Sequence, residues 1–286
     1  MFAKKLKRLS SMLIALVILI VCIVPASAVC KSATVLLRDR QVEFSPKART
    51  VADTVYVPLR AFVENMDPSA TIQWNEKTMQ ATISAANLYM EVTQGSTWIY
   101  ANGHYLYLYG QVYNWDGSLM LPYDILAKVF GVSASWDNDT CTLKLTGEVK
   151  PISWAIYDEY TLYWLSHIVN SEAGCESLDG MIAVGNVVLN RVKNDYWSSD
   201  IYKVIFDRVG GVQFSPTENG TIYLEPSYEA IIASKMAMEG ANVVGDSLFF
   251  LNPSISSSRW FDRNCTFYAK IGQHAFYTCD YYTDGF

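Results

Sequence analysis

A carboxylate standing where a core residue is due marks the first place in this chain to look for chemistry. In the stretch Tyr160 to Lys193, YTLYWLSHIVNSEAGCESLDGMIAVGNVVLNRVK, the apolar residues Leu162, Leu165 and Val169 recur at helical spacing along one stripe. The next position on that stripe is Glu172, in the last turn before the helix-stop residue Gly174. Two effects raise a carboxyl pKa there. Partial burial disfavours the charged form, and so does the negative end of the helix dipole. A carboxylic acid that keeps its proton near neutral pH is what general-acid catalysis requires. The same spacing also fits a helix that frays after Asn170 and leaves Glu172 solvated; periodicity alone leaves both readings open.

The elements that position this residue can be read on either side of it. Ser177 to Lys193 is apolar nearly all round, with Met181, Ile182, Val184, Val187, Val188, Leu189 and Val192, the pattern of a helix buried at the centre of a domain. The candidate acid is therefore expected on a short corner between two core helices, a rigid place for chemistry. Beyond it, the sequence predicts a short amphipathic helix over Asp200 to Arg208 and a turn at Gly210-Gly211. A helix opened by Glu225-Pro226-Ser227 and running to Gly240 follows, then strands over Ser247 to Leu251 and His274 to Thr278.

The chain has 286 residues, which suggests two domains, and 51% hydrophobic residues, ample for real cores. Its start reads as a secretory signal: Lys4, Lys5, Lys7 and Arg8, the apolar run Met12 to Val24, then Ala26-Ser27-Ala28 as an A-x-A cleavage site. The run is short for a membrane span, so cleavage after Ala28 and no stable membrane insertion afterwards are expected. Removing residues 1–28 takes four of the 22 basic residues and none of the 28 acidic ones, leaving a formal charge of −10. Such a chain has no net field for nucleic acid or for an anionic wall polymer. The five cysteines that remain, Cys30, Cys141, Cys175, Cys265 and Cys279, are odd in number and irregularly spaced. They imply neither a disulfide framework nor a zinc site, although Cys265 and Cys279 could close a small loop.

From residue 33 to 147 the chain repeats itself, in copies of about 33–85 and 97–147. VYVPLRAFVENMDPSATIQWNEKTMQATI aligns with LMLPYDILAKVFGVSASWDNDTCTLKL: Pro58 with Pro122, Trp74 with Trp136, Thr78 with Thr140. Each copy reads as strands, a short helix opened by the proline and a β-hairpin, with the tryptophan as a core anchor. These modules resemble the copper amine oxidase N-terminal-like stalk domains of secreted bacterial proteins. His104 and Cys141 are the only soft or imidazole ligands in the segment, so no metal site is read from it. The resemblance implies a spacer or a module that binds the wall or a protein partner. Residues 148–153, with Pro151, form the linker to a second domain over 154–286.

In that second domain Asn170-Ser171-Glu172-Ala173-Gly174-Cys175-Glu176, then Gly185-Asn186-Val187-Val188-Leu189-Asn190-Arg191-Val192, are followed by three further motifs. These are Gln213-Phe214-Ser215-Pro216, Phe250-Leu251-Asn252-Pro253, and Ile271-Gly272-Gln273-His274-Ala275-Phe276-Tyr277. In this order they resemble the spore cortex-lytic, SleB-type cell-wall hydrolase family. The resemblance implies a mainly helical, lysozyme-like fold of the lytic-transglycosylase type with a small sheet, so the whole chain is α+β with a β-rich stalk in front. It also implies cleavage of the β-1,4 bond between N-acetylmuramic acid and N-acetylglucosamine in peptidoglycan, an extracytoplasmic location at the wall or spore envelope, and no cofactor. The family's catalytic glutamate falls on Glu172. A lone acid suffices for a lytic transglycosylase, because the muramic acid 6-hydroxyl attacks its own anomeric centre.

Other residues widen the choice of chemistry. Glu176 is either a second carboxylate, which would permit hydrolysis, or joins Ser177 in capping the buried helix and orienting the loop. Gln213, Ser215 and Asn252 suit N-acetyl groups and sugar hydroxyls, and equally suit ordinary turns; Tyr277 and Phe250 fit a groove wall or a core. Asn190 and Arg191 are expected to tie the end of the central helix to neighbouring loops. Cys175 stands where the family has a small residue. Just ahead of a helix N-terminus it stands where a thiol could act as nucleophile, and with His274 or His167 as base it would make a cell-wall endopeptidase. Three scattered histidines lack the spacing of a zinc amidase. A wall-binding or spore-coat protein with an idle groove is the non-enzymatic alternative.

Overall fold

The computed structural model describes residues 33–255 and 260–279; the signal-like segment, its cleavage point and Cys30 lie outside the described residues. The first domain opens with β1 (Thr34–Leu37), β2 (Arg40–Val42), β3 (Arg49–Val51) and β4 (Thr54–Pro58), followed by α1 (Leu59–Met66). A meander of β5 (Thr71–Asn75), β6 (Gln80–Ala85), β7 (Leu88–Thr93), β8 (Trp98–Ala101) and β9 (His104–Tyr107) comes next. Then follow β10 (Tyr113–Trp115), β11 (Ser118–Pro122), α2 (Tyr123–Phe130), β12 (Ser133–Asp137) and β13 (Thr142–Thr146).

The two short helices show why the repeat forms one unit. Pro58 and Pro122 occupy the N-cap positions of α1 and α2, where a fixed φ and a missing N–H cost nothing. α1 buries Leu59, Phe62, Val63 and Met66, and α2 buries Leu126, Ala127, Val129 and Phe130. The stripes meet edge-on at Phe62 and Phe130, with ring centroids 5.6 Å apart. The copies also exchange strands: β1 runs parallel to β13, with Val35 opposite Leu143, in a sheet ordered β12-β13-β1-β2. A second sheet, β10-β11-β4-β3, mixes the copies in the same way. Trp74 departs from its expected role as core anchor. It is 42% exposed, because it sits on β5, the edge of the five-stranded sheet. Trp136 is partly buried, and its indole N–H donates to Asn138 Oδ1 at 2.6 Å.

The second domain is built on α3 (Glu159–Ala173), α4 (Leu178–Lys193), α5 (Ile201–Ile205) and α6 (Pro216–Asn219). It continues with α7 (Tyr228–Met238), β14 (Phe249–Leu251), α8 (Trp260–Asn264), β15 (Thr266–Ile271) and β16 (His274–Thr278). α4 is the central helix, burying Met181, Ile182, Val184, Val187 and Val188 between α3 and α7. Its polar residues are spent on loops: Asn186 bonds Ala241 O and Val243 N, Asn190 donates to Gly245 O and Ser247 O, and Arg191 Nε donates to Leu248 O.

Several boundaries differ from expectation for local reasons. α5 is shorter than predicted: Asp200 caps it by accepting from Tyr202 N, and Asp207 turns the chain by accepting from Val209 N. β14 starts later than predicted because Ser247 Oγ donates back to Val244 O in a turn. β15 was not predicted; it is an exposed outer strand whose alternation is broken by a register shift between Phe267 and Ala269. The cysteines close the small loop allowed between Cys265 and Cys279, and the disulfide at Cys141 corrects the expectation of no wider framework. Cys265 and Cys279 are bonded, Cys141 is also in a disulfide, and Cys175 is free and exposed. Among the described residues no helix is long and apolar enough to cross a membrane.

Candidate active site

Glu172 sits in the last turn of α3, on the stripe that buries Leu165 and Val169. The helix does not fray there. Asp158 caps its start by accepting from Thr161 N, and both neighbours of the last turn are anchored. Asn170 Oδ1 accepts from Ser227 N at 3.0 Å, and Ser171 Oγ donates to His167 O and Thr221 O at 2.8 and 3.0 Å. Gly174 ends the helix in right-handed rather than left-handed geometry, φ −61°. Its smallness serves close approach instead, since a Cβ there would lie 2.5 Å from Asn170 O. Glu172 is partly buried, and burial pushes its carboxyl up to about 7. Among the described residues it has no hydrogen-bond or ion-pair partner, so its proton is available to an incoming atom.

Glu176 is held quite differently. The cap of α4 is Ser177, whose hydroxyl accepts from Gly180 N. Glu176 instead reaches the β15–β16 turn, where both carboxylate oxygens lie 3.3–3.4 Å from Gln273 N. The turn presses so closely on it that a Cβ at Gly272, φ +56°, would meet Glu176 Oε2 at 1.8 Å. The positive φ favours glycine there, and a larger residue would also push the Glu176 carboxylate aside. The same carboxylate acts on buried His274, whose pKa is lowered by burial against the opposing pull of the Glu176 charge.

The later motifs converge on Phe250. Its ring lies 6.2 Å from Phe214, 5.1 Å from His274 and 5.8 Å from Phe276. Asn252 Nδ2 donates to Gln273 Oε1 at 3.3 Å, continuing the link from Glu176. Gln213 braces its own loop, donating to Val209 O and accepting from Arg191 Nη1. Ser215 is exposed at the start of α6. Tyr277 is only 9% exposed and packs against Phe261 of α8 and Phe267 of β15, which gives its ring a supporting position. A cavity of about 470 Å³ is walled by Arg191, Trp197, Gln213, Phe249, Phe250 and Trp260 among others. Glu172 is not part of its wall. Neither imidazole proposed as a base serves Cys175. His167 is buried with Nδ1 on Tyr163 O, and among the described residues no histidine hydrogen-bonds the thiol.

Sequence reasoning missed the contacts between the two domains. Tyr107 donates to Asp179 Oδ1 at 3.0 Å, in the first turn of α4. Only the tyrosines on alternate positions of β8 and β9 signalled that this hairpin packs on both faces.

Residues 175–277 match the Cell Wall Hydrolase family. The second domain is a cell wall hydrolase domain. Residues 36–145 match the Copper amine oxidase N-terminal domain family, so this hydrolase domain follows a stalk of that kind. Glu172 lies just ahead of the matched hydrolase span, and its candidacy rests on geometry. Among curated proteins the chain is similar to the spore cortex-lytic enzyme of Bacillus cereus, with 30% identity over 120 residues, 42% of this chain and 45% of that protein. It is also similar to those of Oceanobacillus iheyensis, with 29% identity and 42% of each chain, and Bacillus subtilis, with 29% identity, 39% of this chain and 35% of that protein. The chain thus spans less than half the length of these relatives. Among solved structures it is similar to the catalytic domain of the germination-specific lytic transglycosylase SleB from Bacillus anthracis. That likeness has 30% identity, covers 43% of this chain and 97% of that one, and has a TM-score of 0.39.

Proposed function

We propose that the cell wall hydrolase domain cleaves peptidoglycan glycan strands at the β-1,4 bond between N-acetylmuramic acid and N-acetylglucosamine, as a lytic transglycosylase with Glu172 as its single acid and base. The observation that carries this reading is the Glu172 carboxyl, unpartnered among the described residues, raised by burial to about 7 and fixed on a rigid corner. Glu172 donates its proton to the glycosidic oxygen as the bond to the muramic anomeric carbon breaks, and N-acetylglucosamine leaves with a free hydroxyl. The muramic 6-hydroxyl then attacks that carbon, and its proton returns to the Glu172 carboxylate. The product is a 1,6-anhydro sugar, no water is consumed, and the acid is regenerated.

Hydrolysis by two carboxylates is the second reading, with Glu176 as nucleophile or base. Its carboxylate already accepts from Gln273 N, which favours a structural post. The cysteine endopeptidase has less support, because the Cys175 thiol lacks an imidazole partner among the described residues. Substrate binding by Gln213, Ser215 and Asn252 is part of the proposal, with Ser215 the most accessible of the three. An extracytoplasmic site of action accords with the signal-like start and with relatives that are spore cortex-lytic enzymes.

Mass spectrometry of muropeptides released from purified peptidoglycan tests this. Anhydro-muramic ends are expected from the parent chain and from Glu176→Gln, and not from Glu172→Gln. Reducing muramic ends, lost when either carboxylate is changed, would point to hydrolysis. Intact glycan strands would refute cleavage of the glycosidic bond.

A further inference from the structure

At β8 and β9 the five-stranded sheet of the stalk packs against a different core on each face. Ile83, Met90, Ile99 and Leu106 point into the stalk core. On the other face Trp98 pairs with Tyr107 and Tyr100 with Tyr105, and these four rings pack into the core of the hydrolase domain. The alternation of β8 and β9 therefore serves two cores at once. A hairpin that only spaced the domains apart would have a polar outer face.

Polar groups of the hairpin and of the residues just after it meet named groups of the hydrolase domain. Tyr105 Oη lies 3.0 Å from Tyr228 Oη, at the start of α7, and Lys235 Nζ lies 5.3 Å over the Tyr105 ring. His104 Nδ1 pairs with Glu239 just past the end of α7, and Tyr109 Oη accepts from Asn242 N in the loop beyond. Tyr107 reaches furthest: its hydroxyl donates to Asp179, two residues after the Ser177 cap, at the point where the chain leaves the Glu172–Glu176 corner. The stalk thus touches α7 from end to end and also the start of α4.

We propose that the β8–β9 hairpin of the stalk is part of the machinery that holds the hydrolase site, with Tyr107 as a positioning residue that fixes the start of α4, and with it the corner bearing Glu172, through Asp179. α7 holds the other side of the corner, because Ser227 N at its cap donates to Asn170 Oδ1, two residues before Glu172. The hairpin spans both supports. Small displacements of an acid relative to its substrate are costly in turnover, so a domain that looks like a spacer contributes to rate. This role rests on Glu172 being the acid.

The test uses the full chain on purified peptidoglycan. Tyr107→Phe keeps the ring and its packing and removes only the hydroxyl. Turnover is expected to fall about three- to tenfold with KM changed less than about twofold. Asp179→Ala is expected to match it, the double variant to be no worse than either single one, and Asp179→Asn, which keeps an acceptor, to restore most of the rate. Tyr109→Phe loses a hydroxyl that bonds a loop away from the corner, and its turnover is expected to equal the parent's. Parental turnover in Tyr107→Phe overturns the proposal. So does an equal loss in Tyr109→Phe, since general loosening of the interface would then explain both. An inactive parent chain, or a fully active Glu172→Gln, would instead overturn the catalytic reading beneath it.

Discussion

At the scale of the residue, the burial that raises the Glu172 carboxyl costs stability. Burial lifts its carboxyl from 4.5 to about 7, so the folded state holds this proton more tightly than the unfolded chain. Stability from this group is full below the unfolded value, declines as pH rises, and has been lost once pH passes the folded value. The difference corresponds to about 3 kcal/mol as an order of magnitude. Urea unfolding of Glu172→Gln at pH 5 and pH 8 is expected to show little change at the lower pH and a more stable variant at the higher. A variant less stable than the parent at pH 8 would contradict the raised pKa. Turnover should follow the same proton in the opposite experiment. Activity of the parent is expected to fall above pH 7 with the loss of one proton, and Glu172→Gln to lose about 10²–10⁴ in rate at every pH.

The element that matters most beyond the helical corner is the β15–β16 hairpin, which closes on Glu176. Gly272→Ala places a methyl against Glu176 Oε2 and forces a positive φ on a residue with a Cβ, so a destabilisation of about 1–3 kcal/mol is expected. In the background of Glu176→Ala the clash is gone and only the backbone strain remains. The Gly272→Ala cost should then shrink, and additive costs in thermal unfolding would show that the carboxylate does not press on this turn. The disulfide between Cys265 and Cys279 pins the open end of the same hairpin, joining the residues just past α8 and β16. Replacing both cysteines by serine is expected to lower stability by about 2–4 kcal/mol, read from denaturant midpoints.

At the scale of the whole molecule, the shared aromatic packing makes the two domains one thermodynamic unit. Tyr105 is buried in the hydrolase core while its strand neighbours complete the stalk core. Glu239 gathers His104, Lys128 and Tyr157 around one carboxylate just past the end of α7. Calorimetry of the full chain is therefore expected to give a single transition. Two resolved transitions would mean that the interface contributes little, since loosely joined domains unfold independently.

Much of the candidate site was legible in the sequence because it rests on local periodicity. The stripe through Leu165 and Val169 led to Glu172, the cap at Ser177 opened α4, and the prolines at 58 and 122 opened α1 and α2. Each is a property of a few consecutive residues, and helix geometry fixes it wherever the segment finally packs. Tertiary structure decided the rest. Along the chain Glu176 is open to cap, base or nucleophile, and only the fold shows that Gln273, 97 residues away, donates to it. Trp74 lost its expected burial because β5 became a sheet edge, and the loop that Cys265 and Cys279 could close was closed where α8 and β16 end side by side. Tyr107 gave no sign of serving the site, because its partner Asp179 belongs to another domain. Spacing along the chain reports which face a residue shares with its neighbours. Which distant surface then covers that face is set by the packing of the whole chain.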